Sequence, residues 1–300
     1  MIKVKNAEKS FDGFKALNNL NLNVKKGSIY GLVGTNGAGK TTVIKHITGV
    51  LRLDSGEILI DGQNVYDNRS IKEKTGYIPD DLYFFATYNL REMAAIYKKL
   101  YPNWSEERFE EMLGVFKLDA KRKLSKFSKG MQKQAAFILI MSTMPEYLIL
   151  DEPIDGLDPV VRKLVWKYIV DDVADREMTV LVSSHNLREL EGICDSIGIL
   201  SKGSMLLERD LDDLKSDVFK VQVAFEEGSA PEDPYEDLSV LHREKRGSVD
   251  LIIVRNKREV VEKAIRKYNP LVFDILPLTL EEIFIYELGG ADNEIKGIIF

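Results

Sequence analysis

Nine consecutive residues near the start of the chain have the composition of a loop that binds phosphate groups. The segment reads, in order, Gly34, Thr35, Asn36, Gly37, Ala38, Gly39, Lys40, Thr41 and Thr42. Its glycines allow backbone N–H groups to turn toward phosphate oxygens, and the helix predicted to begin there adds a favourable dipole. We expect this segment to bind a nucleotide, with Lys40 on the β- and γ-phosphates and the Thr41 hydroxyl on Mg²⁺. A glycine-rich turn that matches by chance is the alternative, but a strand before it and a helix after it are what a phosphate-binding loop requires.

Two adjacent acids end a predicted strand farther along the chain. The apolar run 147–150 is followed by Asp151 and Glu152, whose carboxylates would repel each other without a cation nearby. We expect Asp151 to hold Mg²⁺ through water and Glu152 to polarise the water molecule that attacks the phosphate. An ordinary acidic turn would be the better interpretation of this segment alone, but the phosphate-binding loop upstream favours the catalytic one.

The composition narrows the class of protein. The chain has 42 basic and 48 acidic side chains and a formal net charge of −6, which argues against a partner such as nucleic acid that requires a strongly basic face. No apolar run approaches the roughly 20 residues that span a bilayer, and the first residues lack the apolar stretch of a signal peptide. A single cysteine, Cys194, fits a reducing cytoplasm and is expected to be buried rather than reactive. With three histidines and one cysteine, a structural zinc site is not expected.

Short apolar runs alternate with helical patterns up to about residue 213, which predicts a parallel sheet covered by helices. Four of the runs are nearly continuous in apolar residues and are followed by turn or helix signals, as in buried strands. They lie at 29–33, 147–151, 179–183 and 197–200. Residues 2–24 and 56–60 are expected to form a separate antiparallel sheet.

A helical insertion is predicted inside this pattern, from about residue 82 to 145. One predicted helix has apolar residues at i, i+3, i+4 and i+7, and Ser105 is placed to cap a second helix. The apolar face of the first consists of Leu90, Met93, Ala94, Tyr97 and Leu100, and that of the second consists of Phe109, Met112, Leu113 and Phe116.

Residues 214–300 are predicted to form a small C-terminal accessory α/β domain. Its strands are expected at 218–225, 249–254 and 271–276, with helices after the second and third strands. Asn256 with Glu259, and Thr279 with Glu282, have the spacing of a capping box at the starts of these helices. Two interpretations of the domain stay open: an appendage that packs on or stabilises a dimer, and a regulatory domain.

The order of the motifs resembles that of ABC ATPases. A P-loop is followed by a signature-like segment at 127–131 and, about twenty residues later, by the strand that ends in the two acids. The resemblance covers residues 1–213 and implies an ABC ATPase cassette there. It implies an α/β fold, with a P-loop NTPase parallel sheet, an antiparallel β subdomain and the helical insertion at 82–145, plus the small C-terminal α/β domain. ATP and Mg²⁺ are the implied cofactors.

The resemblance also implies roles for five further residues. Ser128 and Gly130 match the signature motif, which in this family contacts the γ-phosphate bound to the other subunit. Asp158 closes the segment that matches the D-loop, His185 matches the switch histidine, and Phe11 lies where the family places an aromatic ring that stacks on adenine. Outside this order of motifs, each feature has a plainer interpretation as a helix start, a structural histidine or a core aromatic.

The sequence departs from the common family pattern in two places. The signature differs from Leu-Ser-Gly-Gly-Gln at Phe127, Lys129 and Met131, and this version resembles the ATPases of the ABC-2 exporter branch, in particular the YtrB-type subunits of bacteria. Asp80 stands where the family has the glutamine of the Q-loop. We expect Asp80 to help position Mg²⁺ and its waters beside the nucleotide when a dimer closes, and a solvated loop acid is the alternative.

The function that the resemblance implies is that of an ATP-binding and ATP-hydrolysing subunit at the cytoplasmic, inner face of the cell membrane. Its implied partners are a separate transmembrane ABC permease subunit and a second ATPase subunit, identical or not, because two cassettes enclose two ATP molecules. The apolar segment 82–86 is expected either to dock on the membrane subunit or to pack inside the helical insertion. The alternative function is a soluble ABC ATPase acting on ribosomes or DNA, but such proteins usually carry two cassettes or a long coiled coil, which this sequence lacks.

Overall fold

Two compact units make up the protein in a computed structural model that describes residues 1–211, 213, 218–226, 228–229, 231 and 233–288. The first unit comprises Met1–His185 and Ile193–Glu208. The second comprises Asn186–Gly192 and the described part of Arg209–Phe300. The short segment Asn186–Gly192 thus groups with the C-terminal part of the chain, which the sequence did not indicate.

Strands and helices alternate along most of the chain. The strands are β1 Ile2–Phe11, β2 Phe14–Val24, β3 Ile29–Val33, β4 Ser55–Ile60, β5 Gln63–Asn64, β6 Thr75–Ile78, β7 Tyr147–Asp151, β8 Thr179–Ser184, β9 Ser196–Ser201, β10 Ser204–Asp210, β11 Val218–Ala224, β12 Val240–Arg246, β13 Val249–Arg255 and β14 Val272–Leu276. The α-helices are α1 Lys40–Ile47, α2 Arg69–Lys74, α3 Leu90–Leu100, α4 Glu106–Phe116, α5 Lys129–Met141, α6 Pro159–Arg176, α7 Leu187–Leu190, α8 Arg258–Arg266 and α9 Leu280–Leu288.

Two sheets form the framework of the first unit. One has the order β2-β1-β4-β5 and is antiparallel. The other has the order β10-β9-β3-β8-β7-β6, and the pairs from β9 to β6 are parallel. Leu20 of the first sheet and Leu181 of the second belong to the same apolar core. The predicted α/β fold class, with a parallel sheet and a separate antiparallel sheet, is therefore confirmed.

The register of the parallel sheet brings the ends of three strands to one edge. Asp151 of β7 is paired with Ser183 of β8, and Val33 of β3 is paired with Ser184. Parallel strands end at the same edge of a sheet, and this edge is where α/β proteins bind ligands. The loop after β3, the acid after β7 and the histidine after β8 therefore begin side by side.

The helical insertion contains α3, α4 and α5. Ser105 Oγ accepts a hydrogen bond from the Arg108 N–H at 3.1 Å, so the predicted cap of α4 is confirmed, and the predicted apolar face of α4 is buried. On α3 the predicted face is buried near the helix start, but Leu100 is 60% exposed. The prediction was wrong for Leu100 because the residue ends the helix, about two turns beyond the buried Met93.

A buried acid ties the insertion to the rest of the first unit. Asp172 on α6 accepts hydrogen bonds from Arg108 of α4 and Arg176 of α6, each at 2.7 Å, and its side chain is 5% exposed. One carboxylate therefore separates two guanidinium groups that would otherwise repel each other.

The second unit is built on an antiparallel sheet of order β12-β13-β11-β14. Side chains of β11, β13 and α8 share one apolar core. The sequence did not predict β12, because its side chains are polar and mostly exposed. The capping box of Thr279 and Glu282 is confirmed: each N–H donates to the other side chain, at 3.0 and 3.2 Å.

The second predicted capping box was wrong. Asn256 Oδ1 accepts a hydrogen bond from the Ser239 N–H at 2.8 Å. The side chain thus stabilises the turn before β12 instead of the start of α8. That helix begins at Arg258, with Lys257 as its N-cap and no capping bond from the Lys257 side chain.

Helix α7 packs against α9 within the second unit. Arg188 lies 2.7 Å from Glu281, and Glu191 Oε1 accepts a hydrogen bond from the Leu280 N–H at 3.2 Å. Leu187 and Leu190 are buried.

Two features expected from the composition can be compared with the structure. Cys194 is buried, as predicted, and its burial raises the pKa of the thiol. Within the part of the chain that the structure describes, no helix combines the length and the apolar character needed to cross a bilayer.

We expect Asp172→Asn to lower the free energy of unfolding by about 3 kcal/mol, because two guanidinium groups would then face each other without a carboxylate between them. Urea denaturation followed by circular dichroism measures the loss. Asp171→Asn, which removes an exposed acid on the same helix, is the matched control and should change stability by less than about 0.5 kcal/mol. Equal stabilities for the two variants would contradict the anchoring role of Asp172.

Candidate active site

The phosphate-binding loop joins β3 to α1 and is packed closely against its surroundings. A Cβ atom on Gly34 would lie 2.5 Å from Leu200 O, and one on Gly39, whose φ is +107°, would lie 2.8 Å from Ala16 O. Any other residue at these positions would push the loop away from the sheet. Gly39 is also the N-cap of α1 and brings no side-chain cap bond. The N–H groups of the first turn are therefore available to an anion.

Lys40 lies at the centre of this loop. Its ammonium group donates to Gly34 O at 2.7 Å and to Thr35 O at 3.3 Å, and lies 3.4 Å from Glu152 Oε1. The side chain is 6% exposed. A buried ammonium group surrounded by oxygens is suited to bind phosphate oxygens in the same place.

A cavity of about 310 Å³ opens beside the loop. It is lined by Phe11, Phe14, Ala16, Thr35, Asn36, Gly37, Gly39, Lys40, Thr41, Thr42, Asp80 and Glu152. Of the residues predicted to bind the nucleotide from this loop, Gly34 and Ala38 do not line the cavity, and Ala38 is buried. The structure thus brings most of the predicted loop residues together with Phe11, Asp80 and Glu152.

Two aromatic residues line this cavity. Phe11 ends β1 and Phe14 begins β2, the two are paired, and they are 41% and 65% exposed. Such rings offer a face on which a base can stack. Phe14 was missed by the sequence reasoning, although its place just across the turn at Asp12 and Gly13 was a usable signal.

Glu152 is held between Lys40 and His185. Its Oε1 faces Lys40, and its Oε2 lies 2.9 Å from His185 Nδ1. Because a carboxylate only accepts hydrogen bonds, Nδ1 carries the hydrogen. Glu152 is 13% exposed and has a φ of 48°, in the left-handed region, so its conformation is imposed by its surroundings. A carboxylate fixed from two sides is suited to orient a water molecule.

Ser183 links Asp151 to Glu152, and the sequence reasoning missed it. Its hydroxyl donates to Asp151 Oδ1 at 2.6 Å and accepts a hydrogen bond from the Glu152 N–H at 3.1 Å. The side chain is fully buried. The pairing of β7 with β8 places Ser183 opposite Asp151, and this pairing was not readable from the sequence.

The acids and hydroxyls around the loop fit a magnesium ion. Asp151 is buried, and its Oδ2 has no hydrogen-bond partner among the described residues, as expected of an oxygen that accepts from a metal-bound water. Thr41 lies exposed at the start of α1. Groups of three or more metal-binding side chains do not occur in the described parts of the chain. The buried Asp151 oxygen and the Thr41 hydroxyl are oxygen donors of the kind that Mg²⁺ prefers, and Mg²⁺ usually keeps several waters and takes phosphate oxygens as ligands.

Asp80 follows β6 and has a partner that the sequence did not suggest. Its Oδ1 lies 3.2 Å from the Nζ of Lys133, which also donates to Glu152 O at 2.8 Å. Burial, together with the smaller effects of the charges of Asp151 and Asp80, raises the pKa of Tyr77 to about 12. The carboxylates of Asp151 and Asp80 are therefore both close enough to Tyr77 to raise its pKa.

The signature and D-loop residues lie outside the cavity of their own chain. Ser128 is exposed, and its hydroxyl caps α5 by accepting from the Met131 N–H at 3.2 Å. Asp158 caps α6 by accepting from the N–H groups of Val160 and Val161. A Cβ on Gly130 would lie 3.1 Å from Gly156 O. Signature and D-loop therefore touch each other, and the structure does not bring them to the P-loop.

We expect Ser183→Ala to lower turnover of a nucleoside triphosphate at least about tenfold, because a buried N–H and a buried carboxylate oxygen both lose a partner, at a cost of about 1.4 kcal/mol or more. Phosphate release measures turnover, and a fluorescent nucleotide measures affinity, which should change little.

The matched control is Ser142→Ala, which removes a buried hydroxyl that donates to Ile138 O at 2.6 Å. This variant should lose stability and keep its turnover. An equal fall of turnover in both variants would show that Ser183 has no special role at the site.

Comparison with known proteins places the chain among transporter ATPases. Residues 17–155 match the family model described as ABC transporter. The chain is 32% identical over 290 residues to the ABC transporter ATP-binding protein YtrB of Bacillus subtilis (strain 168), covering 97% of this chain and 99% of YtrB. It is 36% identical over 218 residues to the bacitracin transport ATP-binding protein BcrA of Bacillus licheniformis, covering 72% and 71% of the two chains. The predicted resemblance to YtrB-type subunits is therefore confirmed.

Solved structures agree with this assignment. A structure of the ATP-binding subunit of an ABC transporter has a TM-score of 0.67 and 29% sequence identity, covering 72% of this chain and 92% of that chain. A dimeric ATP-binding cassette bound to ADP and Pi has a TM-score of 0.64 at 23% identity, covering 70% and 99%, and shows the shared fold. The chain belongs to the ATP-binding proteins of ABC transporters, and it is the subunit that binds and hydrolyses ATP.

Proposed function

We propose that two copies of this cassette, or this cassette and a related one, enclose ATP between them and so drive a separate membrane permease. The observation that carries the proposal is the position of Ser128 and Gly130. They are placed on the outside of their own chain, away from the P-loop cavity. A signature motif that acts on a nucleotide must then act on the nucleotide of a partner cassette. The residues that form this cassette are 1–213, with 214–300 as an accessory domain.

The phosphate groups of ATP are bound by the P-loop and by Lys40. The ammonium of Lys40 exchanges loop carbonyls for phosphate oxygens, and Phe11 and Phe14 offer their rings to the adenine. Mg²⁺ would be held by the Thr41 hydroxyl and, through water, by Asp151. When bound, Mg²⁺ neutralises charge on the phosphate oxygens.

Hydrolysis depends on Glu152 and His185. The Glu152 carboxylate orients the attacking water and accepts its proton. His185 donates Nδ1–H to Glu152 and so keeps the carboxylate turned toward the cavity. The exposed remainder of the His185 ring is available to the γ-phosphate when the second cassette closes over the site.

A permease at the inner face of the cell membrane is the proposed membrane partner. The segment 82–86 supports this, because Tyr83 is 85% exposed and Phe85 is 49% exposed, so these rings are not core of the helical insertion. Exposed apolar side chains of this kind commonly mark binding surfaces. BcrA is named for bacitracin transport, and a further relative, SrtF of Streptococcus pyogenes, is named for lantibiotic transport, which supports an exporter of the ABC-2 branch. They give no support to the alternative of an ATPase acting on ribosomes or DNA.

We expect Glu152→Gln to abolish turnover while retaining ATP binding, because the amide keeps the shape of the side chain but accepts no proton. ATP affinity should stay equal or rise, since Lys40 loses a competing carboxylate. Phosphate release and size-exclusion chromatography with ATP measure the two effects, the second as an ATP-dependent dimer. Glu146→Gln, at the other end of β7 and in an exposed ion pair with Lys74, is the control with normal turnover. If the Glu152→Gln protein hydrolyses ATP at the wild-type rate, Glu152 is not the general base.

We expect mixtures of mutant chains to reveal the shared site. Ser128→Arg blocks the partner's site, and Lys40→Ala weakens binding in its own, so each variant alone should be inactive. In a mixed dimer one site carries both lesions and the other neither, and activity should return. A chain carrying both substitutions, in excess over wild-type chains, should instead suppress activity, because every mixed site is then defective. If the signature acts within its own chain, the two mixtures give the opposite pattern of ATPase rates.

A further inference from the structure

We propose that Lys133 is a positioning residue for ATP hydrolysis, which neutralises Asp80 beside the phosphate-binding cavity and holds the backbone of Glu152. The inference rests on the proposed function, in which Glu152 is the base. Lys133 lies on α5, the helix that begins just after Ser128, and its contacts join this helix to the ends of two strands of the parallel sheet.

The surroundings of Lys133 differ from those of a surface lysine. Its ammonium lies 2.8 Å from Glu152 O and 3.2 Å from Asp80 Oδ1. The Lys133 side chain is 12% exposed, whereas that of Asp80 is 52% exposed. A lysine that has lost most of its water is stable only if other groups replace that water. Here the replacements are one carboxylate and one backbone carbonyl, both next to the hydrolysis site.

The charge of Asp80 requires such a partner. Asp80 lines the same cavity as Lys40 and Glu152, where the phosphates of ATP bind. A carboxylate and a phosphate group that share one cavity repel each other. A neutral glutamine at this position would bring no such repulsion. Lys133 supplies the compensating positive charge, and this charge is needed because residue 80 is an acid.

The second contact fixes the conformation of Glu152. Its N–H is bonded to Ser183 Oγ and its C=O to Lys133, so both of its backbone polar groups are held. The φ of Glu152 is 48°, and such a conformation persists when the surroundings over-determine it. Without Lys133 the Glu152 carbonyl loses its partner, so one of the two backbone contacts that position the carboxylate between Lys40 and His185 is lost.

The two contacts give separable effects. Lys133→Met keeps an unbranched side chain, one atom shorter and without charge, and removes both contacts. We expect it to weaken the binding of a fluorescent, non-hydrolysable ATP analogue at least about tenfold and to lower kcat at least about tenfold. Addition of Asp80→Asn should return the affinity to within about threefold of wild type, because the uncompensated charge is gone. The kcat should stay low, because the Glu152 carbonyl still has no partner.

Two further variants make the test specific. Lys133→Arg retains the charge and should keep the affinity within about threefold of wild type. Lys98→Met is the matched control, because it breaks an exposed ion pair with Glu106, of 2.9 Å, elsewhere in the helical insertion, and both quantities should be unchanged. Lys133→Gln replaces Lys133→Met if urea denaturation shows that the methionine variant does not fold.

Two results would overturn the inference. One is wild-type affinity and kcat in Lys133→Met. The other is a double variant whose affinity remains as low as that of Lys133→Met alone. If one of these results is found while Glu152→Gln is inactive in the same assays, only the proposed role of Lys133 is refuted. If Glu152→Gln is fully active, the proposed hydrolysis site itself fails.

Discussion

Glu152 follows β7 directly, in a left-handed conformation, with Lys40 on one side of its carboxylate and His185 on the other. These three residues follow three different strands, and they meet because β3, β8 and β7 are neighbours in one parallel sheet. A slip of one residue in the pairing of any strand would turn its side chains to the opposite face. The site therefore depends on the register of strands whose own side chains are apolar and buried. The packing of the apolar core fixes that register and thereby brings Glu152, Lys40 and His185 together.

The balance of charge is a second constraint on the same place. Asp80 and Glu152 line the cavity beside the phosphate-binding loop, and Lys40 and Lys133 are the cations that lie against them. Each lysine is largely buried and bonded both to a carboxylate and to backbone oxygen. Their positions are thus set by the protein before the nucleotide arrives, which reduces the reorganisation required in catalysis. In the proposed site, the binding of the nucleotide and the binding of a cation at Asp151 would be coupled through this balance.

Much of the architecture could be predicted because it depends on local patterns. The buried strands, the cap at Ser105 and the face of α4 follow from apolar periodicity and from residues a few positions apart. Ser183 and Lys133 could not be predicted, because their partners lie on other strands and are brought close only by the tertiary fold. Strand β12 was missed because its exposed, polar side chains carry no apolar alternation. The capping box predicted at Asn256 was wrong because an asparagine side chain can either cap a helix or bond to a neighbouring turn. The sequence alone does not distinguish the two.

The segment Asn186–Gly192 comes directly after His185 but groups with the C-terminal unit, in which α7 packs against α9. A shorter descendant of this protein that ended after Glu208 would keep α7 and lose the helix against which it packs. Any part of Leu187 and Leu190, both buried, that α9 covers would meet water, at a cost of up to about 1.5–3 kcal/mol for each side chain. This exposure would arise within a few residues of the switch histidine. A chain without α9 would therefore need another apolar cover for the part of α7 that α9 now contacts.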